Sequence, residues 1–288
     1  MNVQIGVIGG SGVYQIESLK KVREVKVRTP FGAPSDSLIV GDLAGIRVAF
    51  LPRHGRGHRL NPSEINYRAN IYALKSLGVE NVISVSACGS LKEEIRPRDM
   101  VFPDQFFDRT KGIRASTFFE KGLVGHVMFG HPFHEGLRLL VANTAQELGY
   151  RTHPQGTYVC MEGPQFSTKA ESNAYRAMGF DIVGMTNLTE AKLAREAELR
   201  YATVGLVTDY DVWREGEEVS VDVVIGHLHA NSDHVKRLIG KVVPRIVQAA
   251  ANWPPEESLK FALMTDPGKI PPATRKKLAL LVKKYLPR

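Results

Sequence analysis

The chain predicts a single α/β domain in which a mixed, largely parallel central sheet is flanked by helices, followed by a helical C-terminal extension. Three observations predict it. Short runs rich in Val, Ile and Leu, bounded by Gly, Pro or Asp, alternate with longer segments of helical periodicity. Alternation of that kind favours parallel strands buried by helices on both sides. A length of 288 residues, with 43% hydrophobic and 24% charged content, fills one sizeable core and lacks the bias of disordered or fibrous chains. The domain is expected over residues 1–251 and the extension over 252–288.

In chain order, the strand-like runs are residues 4–8, 37–40, 47–51, 81–86, 100–102, 157–161, 181–185 and 202–208. Between them the spacing predicts helices over 62–77, where Ile65, Ala69, Tyr72 and Ala73 share a face, and over 135–148, 168–178, 190–198 and 221–247. Gly78, Gly149 and Gly179 follow three of these helices where a left-handed terminating residue is wanted. A bend or break is expected before Pro244, because proline lacks the N–H that the helix interior needs. Trp253-Pro254-Pro255 reads as a linker to an amphipathic basic helix over 273–285.

The charge pattern excludes some functions. Of the net +8, the segment from Asn252 to Arg288 carries +5, with eight basic residues against three acidic ones. No basic stripe interleaved with aromatics runs through the main body, so nucleic acid is not the expected partner. No uncharged apolar run approaches the roughly 20 residues a membrane helix needs, and the opening residues show no basic leader, so a cytoplasmic protein is expected. Cys88 and Cys160 supply neither a disulfide framework nor a metal spacing; buried free thiols are expected, with one bridge between them left open only for a hyperthermophilic source. The histidines His54, His58, His126, His131 and His134 lack a metal-ligand pattern, so no metal is expected.

Chemistry is concentrated in loops that follow the strand runs. Gly9-Gly10-Ser11-Gly12, Arg53-His54-Gly55-Arg56, Ser86-Ala87-Cys88-Gly89-Ser90 and Met185-Thr186 are small, hydroxyl-bearing or basic. In a doubly wound sheet such loops converge at the carboxyl ends of the strands, where amides, hydroxyls and two guanidinium groups make an anion pocket suited to phosphate. The first loop is not a dinucleotide fingerprint, because its third glycine position is Gln15. Cys88 has no base beside it in the sequence and reads as a packed thiol. Phe166, on the turn Glu162-Gly163-Pro164-Gln165-Phe166-Ser167, is a ring able to stack on a flat base. Asp209 and Asp211 flank Tyr210 with strand-like alternation, which predicts carboxylates about 6–7 Å apart on one face. Mutual repulsion and burial would raise the pKa of at least one, giving an acid for a leaving group.

Taken together with Thr29-Pro30-Phe31-Gly32, Asn66-Tyr67-x-Ala69-Asn70, Ala87-Cys88-Gly89-Ser90-Leu91 and Thr208-Asp209-Tyr210-Asp211-x-Trp213, these motifs resemble the 5′-methylthioadenosine phosphorylases of the purine nucleoside phosphorylase superfamily, over residues 3 to 250. The resemblance implies phosphorolysis of 5′-methylthioadenosine to adenine and 5-methylthioribose 1-phosphate, with inorganic phosphate as co-substrate and no metal or organic cofactor. It implies phosphate held by Ser11, Arg53, His54, Ser86 and Thr186, ribose by the Met185 region, and adenine by Ala87, Phe166, Ser167, Asp209 and Asp211. Asp209 would act at purine N7 and Asp211 would orient it or reach the 6-amino group. Val221, Val224 and Ile225 would surround the 5′ substituent, with His126 from an adjacent subunit of a homotrimer or a dimer of trimers. Relatives acting on 6-oxopurines carry Asn at the Asp209 position and Glu near Ser167, and neither change is present.

Two departures stand out. Ser11 and Ser86 occupy positions where Thr is frequent, and Asn187-Leu188-Thr189-Glu190 replaces a small-x-Pro-Glu stretch. The extension after Trp253 has no counterpart in the resemblance. A broad purine nucleoside phosphorylase acting on adenosine, inosine or guanosine, a hydrolytic nucleosidase, and a non-catalytic binder using the basic extension remain as alternatives at this point.

Overall fold

The computed structural model describes residues 3–10, 16–216 and 221–287. Strands β1 (Ile5–Gly9), β2 (Lys20–Val25), β3 (Leu38–Leu43) and β4 (Ile46–Pro52) precede helix α1 (Tyr67–Ser76). Next come β5 (Asn81–Ser90), β6 (Met100–Val101), β7 (Gln105–Arg109), α2 (Glu135–Glu147), β8 (Thr152–His153), β9 (Thr157–Met161) and α3 (Lys169–Ala177). The chain continues through β10 (Ile182–Gly184), α4 (Asn187–Glu196), β11 (Arg200–Asp209), α5 (Val221–Ala250) and α6 (Pro272–Val282).

Among the described residues the strands form one sheet of eleven, in the order β2-β3-β4-β1-β5-β10-β9-β7, with β11 on β5 and β6, and β8 on β6. The central pairs β4–β1, β1–β5 and β5–β11 are parallel, whereas β2–β3, β3–β4, β5–β10 and β6–β11 are antiparallel. The expected mixed, largely parallel architecture is therefore present. One apolar cluster joins β1, β4, α1 and α4 to Leu259, Ile270, Leu278, Leu281 and Val282 of the C-terminal extension. On the other side of the sheet Leu137 and Val141 of α2 pack with Val235, Leu238 and Val242 of α5. The extension thus shares the core cluster of the main body.

Local chemistry explains where elements differ from expectation. The helix predicted from residue 62 starts at Tyr67, because Asn61 Oδ1 takes the amides of Ser63 and Glu64 and Asn66 Oδ1 caps Ala69 N at 3.1 Å. The helix predicted from 190 starts at Asn187. No break occurs at Pro244: α5 runs through it, held by Val242, Val243 and Ile246, all fully buried. The two-residue turn Ala44-Gly45, both with positive φ, closes the β3–β4 hairpin. No described helix is long and apolar enough to cross a membrane.

Candidate functional site

The sheet forks at β5. Strand β1 accompanies it only as far as Ser84, and β10 joins it, antiparallel, only at Gly89 and Ser90. Between these points one edge of β5 pairs with β11 and the other faces no strand among the described residues. Ser86 and Ala87 are the two partly exposed residues of an otherwise buried strand. The sequence reading expected Met185 and Thr186 to follow a parallel neighbour of β5; instead they follow β10, which runs antiparallel to β5, and Thr186 heads α4.

On one side of this fork lies Arg53, which follows β4 and is 2% exposed. Its Nε and Nη2 form a bidentate pair with Glu190 at 2.5 and 3.1 Å, Nη2 also donates to Ser84 Oγ, and Nη1 donates to the Val85 carbonyl at 2.8 Å. A guanidinium has five N–H donors, so one hydrogen, on Nη1, remains. Burial opposes the Arg53 charge, but Glu190 more than restores it, and the group stays protonated. His54 Nδ1 lies 2.8 Å from the Leu60 carbonyl, so that nitrogen carries the hydrogen; burial, then the Arg53 charge, push its pKa down to about 4. Neutral His54 therefore presents Nε2 as an acceptor. Arg56 is not a second pocket guanidinium: it is exposed and bound to Glu24 and Asp36. Thr186 heads α4 without giving its side chain to the helix, so the first-turn amides of α4 are uncapped by it.

Across the fork are the two aspartates. A bulge at Thr208 sets Asp209 opposite Gly89, where a side chain would strike Asp209 Oδ1 at 2.8 Å and Asp211 Cβ at 3.3 Å. They do not share a strand face. β11 ends at Asp209, Asp211 takes a left-handed φ of 50°, and its N–H donates to Asp209 Oδ1 at 2.8 Å. Burial raises the Asp209 carboxyl, opposed by Thr208 Oγ1 donating at 2.6 Å, by the Asp211 amide and by nearby His227. Burial also raises Asp211, opposed by the Ser172 and Ser167 hydroxyls and reinforced by Asp209. Those hydroxyls fall short of aligned hydrogen bonds, for Asp211 Oδ2 is buried without a partner.

The loop carrying Glu162 and the Met185 backbone is fastened by Arg114, which the sequence reading missed. Its Nε donates to Glu162 Oε1 at 2.7 Å, Nη1 to the Met185 carbonyl and Nη2 to the Glu162 carbonyl. Gly163, at φ 70°, leaves room for the Met185 thioether 2.5 Å from where a Cβ would be. The loop then presents Phe166, 40% exposed, and Ser167, which is buried. Val224 is partly exposed and Ile225 exposed at the start of α5; Ser11 and the Val221 side chain lie outside the described residues. His126 is exposed, and its backbone is fastened to the extension through Ala262, not to the fork.

Ser84, Asn187, Glu190 and Tyr201 also escaped the sequence reading, since each satisfies a neighbour rather than facing the cleft. For Ser84 and Tyr201 the signal was a polar type in a buried pattern; for Asn187 and Glu190 it was the stretch that departs from small-x-Pro-Glu. Cys88 and Cys160 are free and buried. With β10 between their strands, two interstrand spacings of about 4.8 Å keep them beyond disulfide reach. Among the described residues no three His, Cys, Asp or Glu side chains gather as a metal set.

The phosphorylase superfamily model matches residues 4–244. The S-methyl-5′-thioadenosine phosphorylase of Gloeobacter violaceus is 56% identical, over 98% of this chain and 96% of its own, and that of Geobacter sulfurreducens 52% identical over 99% and 100%. These matches extend through the C-terminal extension, which therefore has counterparts. Among solved structures, a methylthioadenosine phosphorylase from an antarctic soil metagenomic library superposes with a TM-score of 0.92 at 48% identity, covering 97% of this chain and 99% of that one. The methylthioadenosine phosphorylase from Schistosoma mansoni in complex with adenine superposes at 0.82 and 37% identity, covering 98% of both. The chain belongs to the phosphorylase superfamily, among its S-methyl-5′-thioadenosine phosphorylases.

Proposed function

We propose that this chain catalyses phosphorolysis of 5′-methylthioadenosine, giving adenine and 5-methylthioribose 1-phosphate. The observation that carries the reading is the fork at Ser86–Ala87, with anion donors on one side and two buried carboxyls of raised pKa on the other. Phosphate is held by the free Nη1 hydrogen of Arg53, the hydroxyls of Ser86, Thr186 and Ser11, and the uncapped amides of α4. His54 Nε2 takes the O–H of a protonated phosphate, or is itself protonated as the dianion enters. Phosphate is the only co-substrate, and no metal or organic cofactor is required.

Breaking the C1′–N9 bond leaves a cation-like ribose, which the phosphate stabilises before its oxygen bonds to C1′. The electron pair goes to the purine, and Asp209, whose proton affinity burial raises, delivers its proton to N7. Asp211 Oδ2, an acceptor without a partner, suits the 6-amino group of adenine, whereas a 6-oxo group would bring acceptor against acceptor. Phe166 and Ala87 face the base, and Met185, held by Arg114, meets the ribose. Val221, Val224 and Ile225 make the 5′ end apolar, worth roughly 1–3 kcal/mol for methylthio over hydroxyl. A homotrimer or dimer of trimers brings His126 from the adjacent subunit.

The test is an assay of adenine release with and without phosphate. The expected result is no turnover in phosphate-free buffer, and equimolar adenine and 5-methylthioribose 1-phosphate when phosphate is supplied. Free methylthioribose formed without phosphate would show a hydrolase instead, and higher efficiency on inosine than on methylthioadenosine would overturn the adenine assignment.

A further inference from the structure

Asn187 occupies a position that the small-x-Pro-Glu pattern fills with a small residue, and its side chain is fully buried. It is also fully used. Its Nδ2 lies 2.9 Å from Ser84 Oγ, 3.0 Å from Thr203 Oγ1 and 3.2 Å from the Tyr201 hydroxyl. Its Oδ1 accepts from the Tyr158 hydroxyl at 3.2 Å and from Thr186 Oγ1 at 3.3 Å. Ser84 in turn accepts from Arg53 Nη2 and donates to Glu190 Oε2 at 2.6 Å, and Tyr201 donates to the same Glu190 oxygen at 2.9 Å. One amide therefore joins the Arg53–Glu190 pair to Thr186.

Tyr158 reaches this amide from β9, across β10, and only because residue 184 is glycine: a Cβ there would overlap the tyrosine hydroxyl. The Ser86 hydroxyl is near enough to oppose part of the rise in the Tyr158 pKa, while its own hydrogen goes to the Ala87 carbonyl at 3.3 Å. Burial holds the phenol far above its ordinary pKa, so it remains a donor. Tyr158 thus reaches the Thr186 hydroxyl of the fork through Asn187.

We infer that Tyr158 and Asn187 are positioning residues for phosphate, holding Arg53 and Thr186 in place beneath the cleft, with the Thr186 hydrogen turning from Asn187 Oδ1 to the anion when phosphate binds. The Asn187 amide and the Tyr158 phenol, admitted by Gly184, do the work left open where the chain departs from the small-x-Pro-Glu stretch. This inference rests on the phosphorolytic reading, and it assigns the pair to phosphate and not to the nucleoside.

Kinetics of Tyr158→Phe and Asn187→Ala, with phosphate and methylthioadenosine varied separately, test it. Tyr158→Phe keeps the ring and removes one neutral hydrogen bond, so KM for phosphate is expected to rise about fivefold while KM for methylthioadenosine stays within about twofold. Asn187→Ala strands several buried partners and is expected to raise the phosphate KM by tenfold or more. Should that variant fold poorly, the rise in Tm that phosphate gives Tyr158→Phe is compared with wild type and is expected to be smaller. An unchanged phosphate KM, or equal rises for both substrates, overturns the inference. Wild-type turnover that ignores phosphate overturns the functional reading instead.

Discussion

Asp209→Asn separates proton delivery from mere hydrogen bonding. Asn keeps Oδ1 to accept from the Asp211 amide, and the Thr208 hydroxyl, which now donates to Asp209 Oδ2, has the Cys88 carbonyl at 3.3 Å as an alternative acceptor. The fold is therefore expected to survive. What disappears is a carboxyl whose proton affinity burial raises. General acid catalysis contributes about 10²–10⁴ in rate. Because the Asn amide still donates a hydrogen bond to N7, the loss in kcat/KM for methylthioadenosine is expected at about 10²–10³, or about 2.7–4 kcal/mol of barrier.

The pH profile provides the sharper readout. In wild type the protonated fraction of Asp209 falls as pH rises through its elevated pKa, so kcat/KM declines on the alkaline side of that value; in the variant this limb is absent. Stability moves the other way. A carboxyl whose native pKa exceeds its unfolded value near 3.8 loses stability as pH rises from the unfolded value to the native one, and Asn escapes that loss. The variant should melt no lower than wild type at neutral pH. Adenine release at saturating phosphate, followed from about pH 5 to about pH 9, measures the effect. A loss below tenfold with the alkaline limb intact would refute the role given to Asp209.

Glu196 accepts from Thr117 Oγ1 and the Phe118 amide, yet burial pushes it up to about 7, so between pH 4.5 and 7 wild type should lose about 3 kcal/mol. Denaturant melts across that range should show the decline, and Glu196→Gln should flatten it. Arg114→Ala removes the counter-ion of the buried Glu162 carboxylate, which keeps only the Ser63 hydroxyl and the Lys111 amide, and should cost about 3 kcal/mol in urea unfolding, with KM for the nucleoside raised because Met185 is released. Leu278→Ala, at a 1% exposed position of the extension, should cost about 2–5 kcal/mol by the same measurement, whereas a detached tail would show no change.

The parallel centre of the sheet was legible because its strands are buried on both faces and read as continuous apolar runs. β2 was not, since Lys20–Val25 is mostly exposed and carries the charges that keep an edge strand from pairing further. β7 was missed too, its sequence Gln-Phe-Phe-Asp-Arg lacking an apolar run. Strand direction was less legible still. Nothing in residues 181–185 reveals that β10 opposes β5, because a short apolar run has the same composition either way. Only long-range pairing produces the fork, and so the cleft was inferred from its loops without its actual shape.

Residue types suggested which groups could bind an anion or release a proton, but not which partners they already have. Arg53 illustrates the gap: read from its loop it is a free guanidinium, yet four of its five donors are committed inside the protein and one is left over. That commitment has a physical purpose. An unpaired, fully buried guanidinium would be costly to desolvate, and a flexible exposed one would lose side-chain entropy each time phosphate arrived. Pairing with Glu190 meets the first difficulty, and the Ser84–Asn187–Tyr158 cluster holds the pair rigid and meets the second. A net-neutral Arg–Glu pair cannot by itself attract an anion strongly. On the proposed reading the remaining attraction would come from directed donors: one Nη1 hydrogen, the amides opening α4, and the Ser86 and Thr186 hydroxyls once they turn from the Ala87 carbonyl and Asn187 Oδ1. Such a site is selected by geometry more than by net charge, and a one-residue change in the buried cluster should therefore alter phosphate affinity without altering the charge of the pocket.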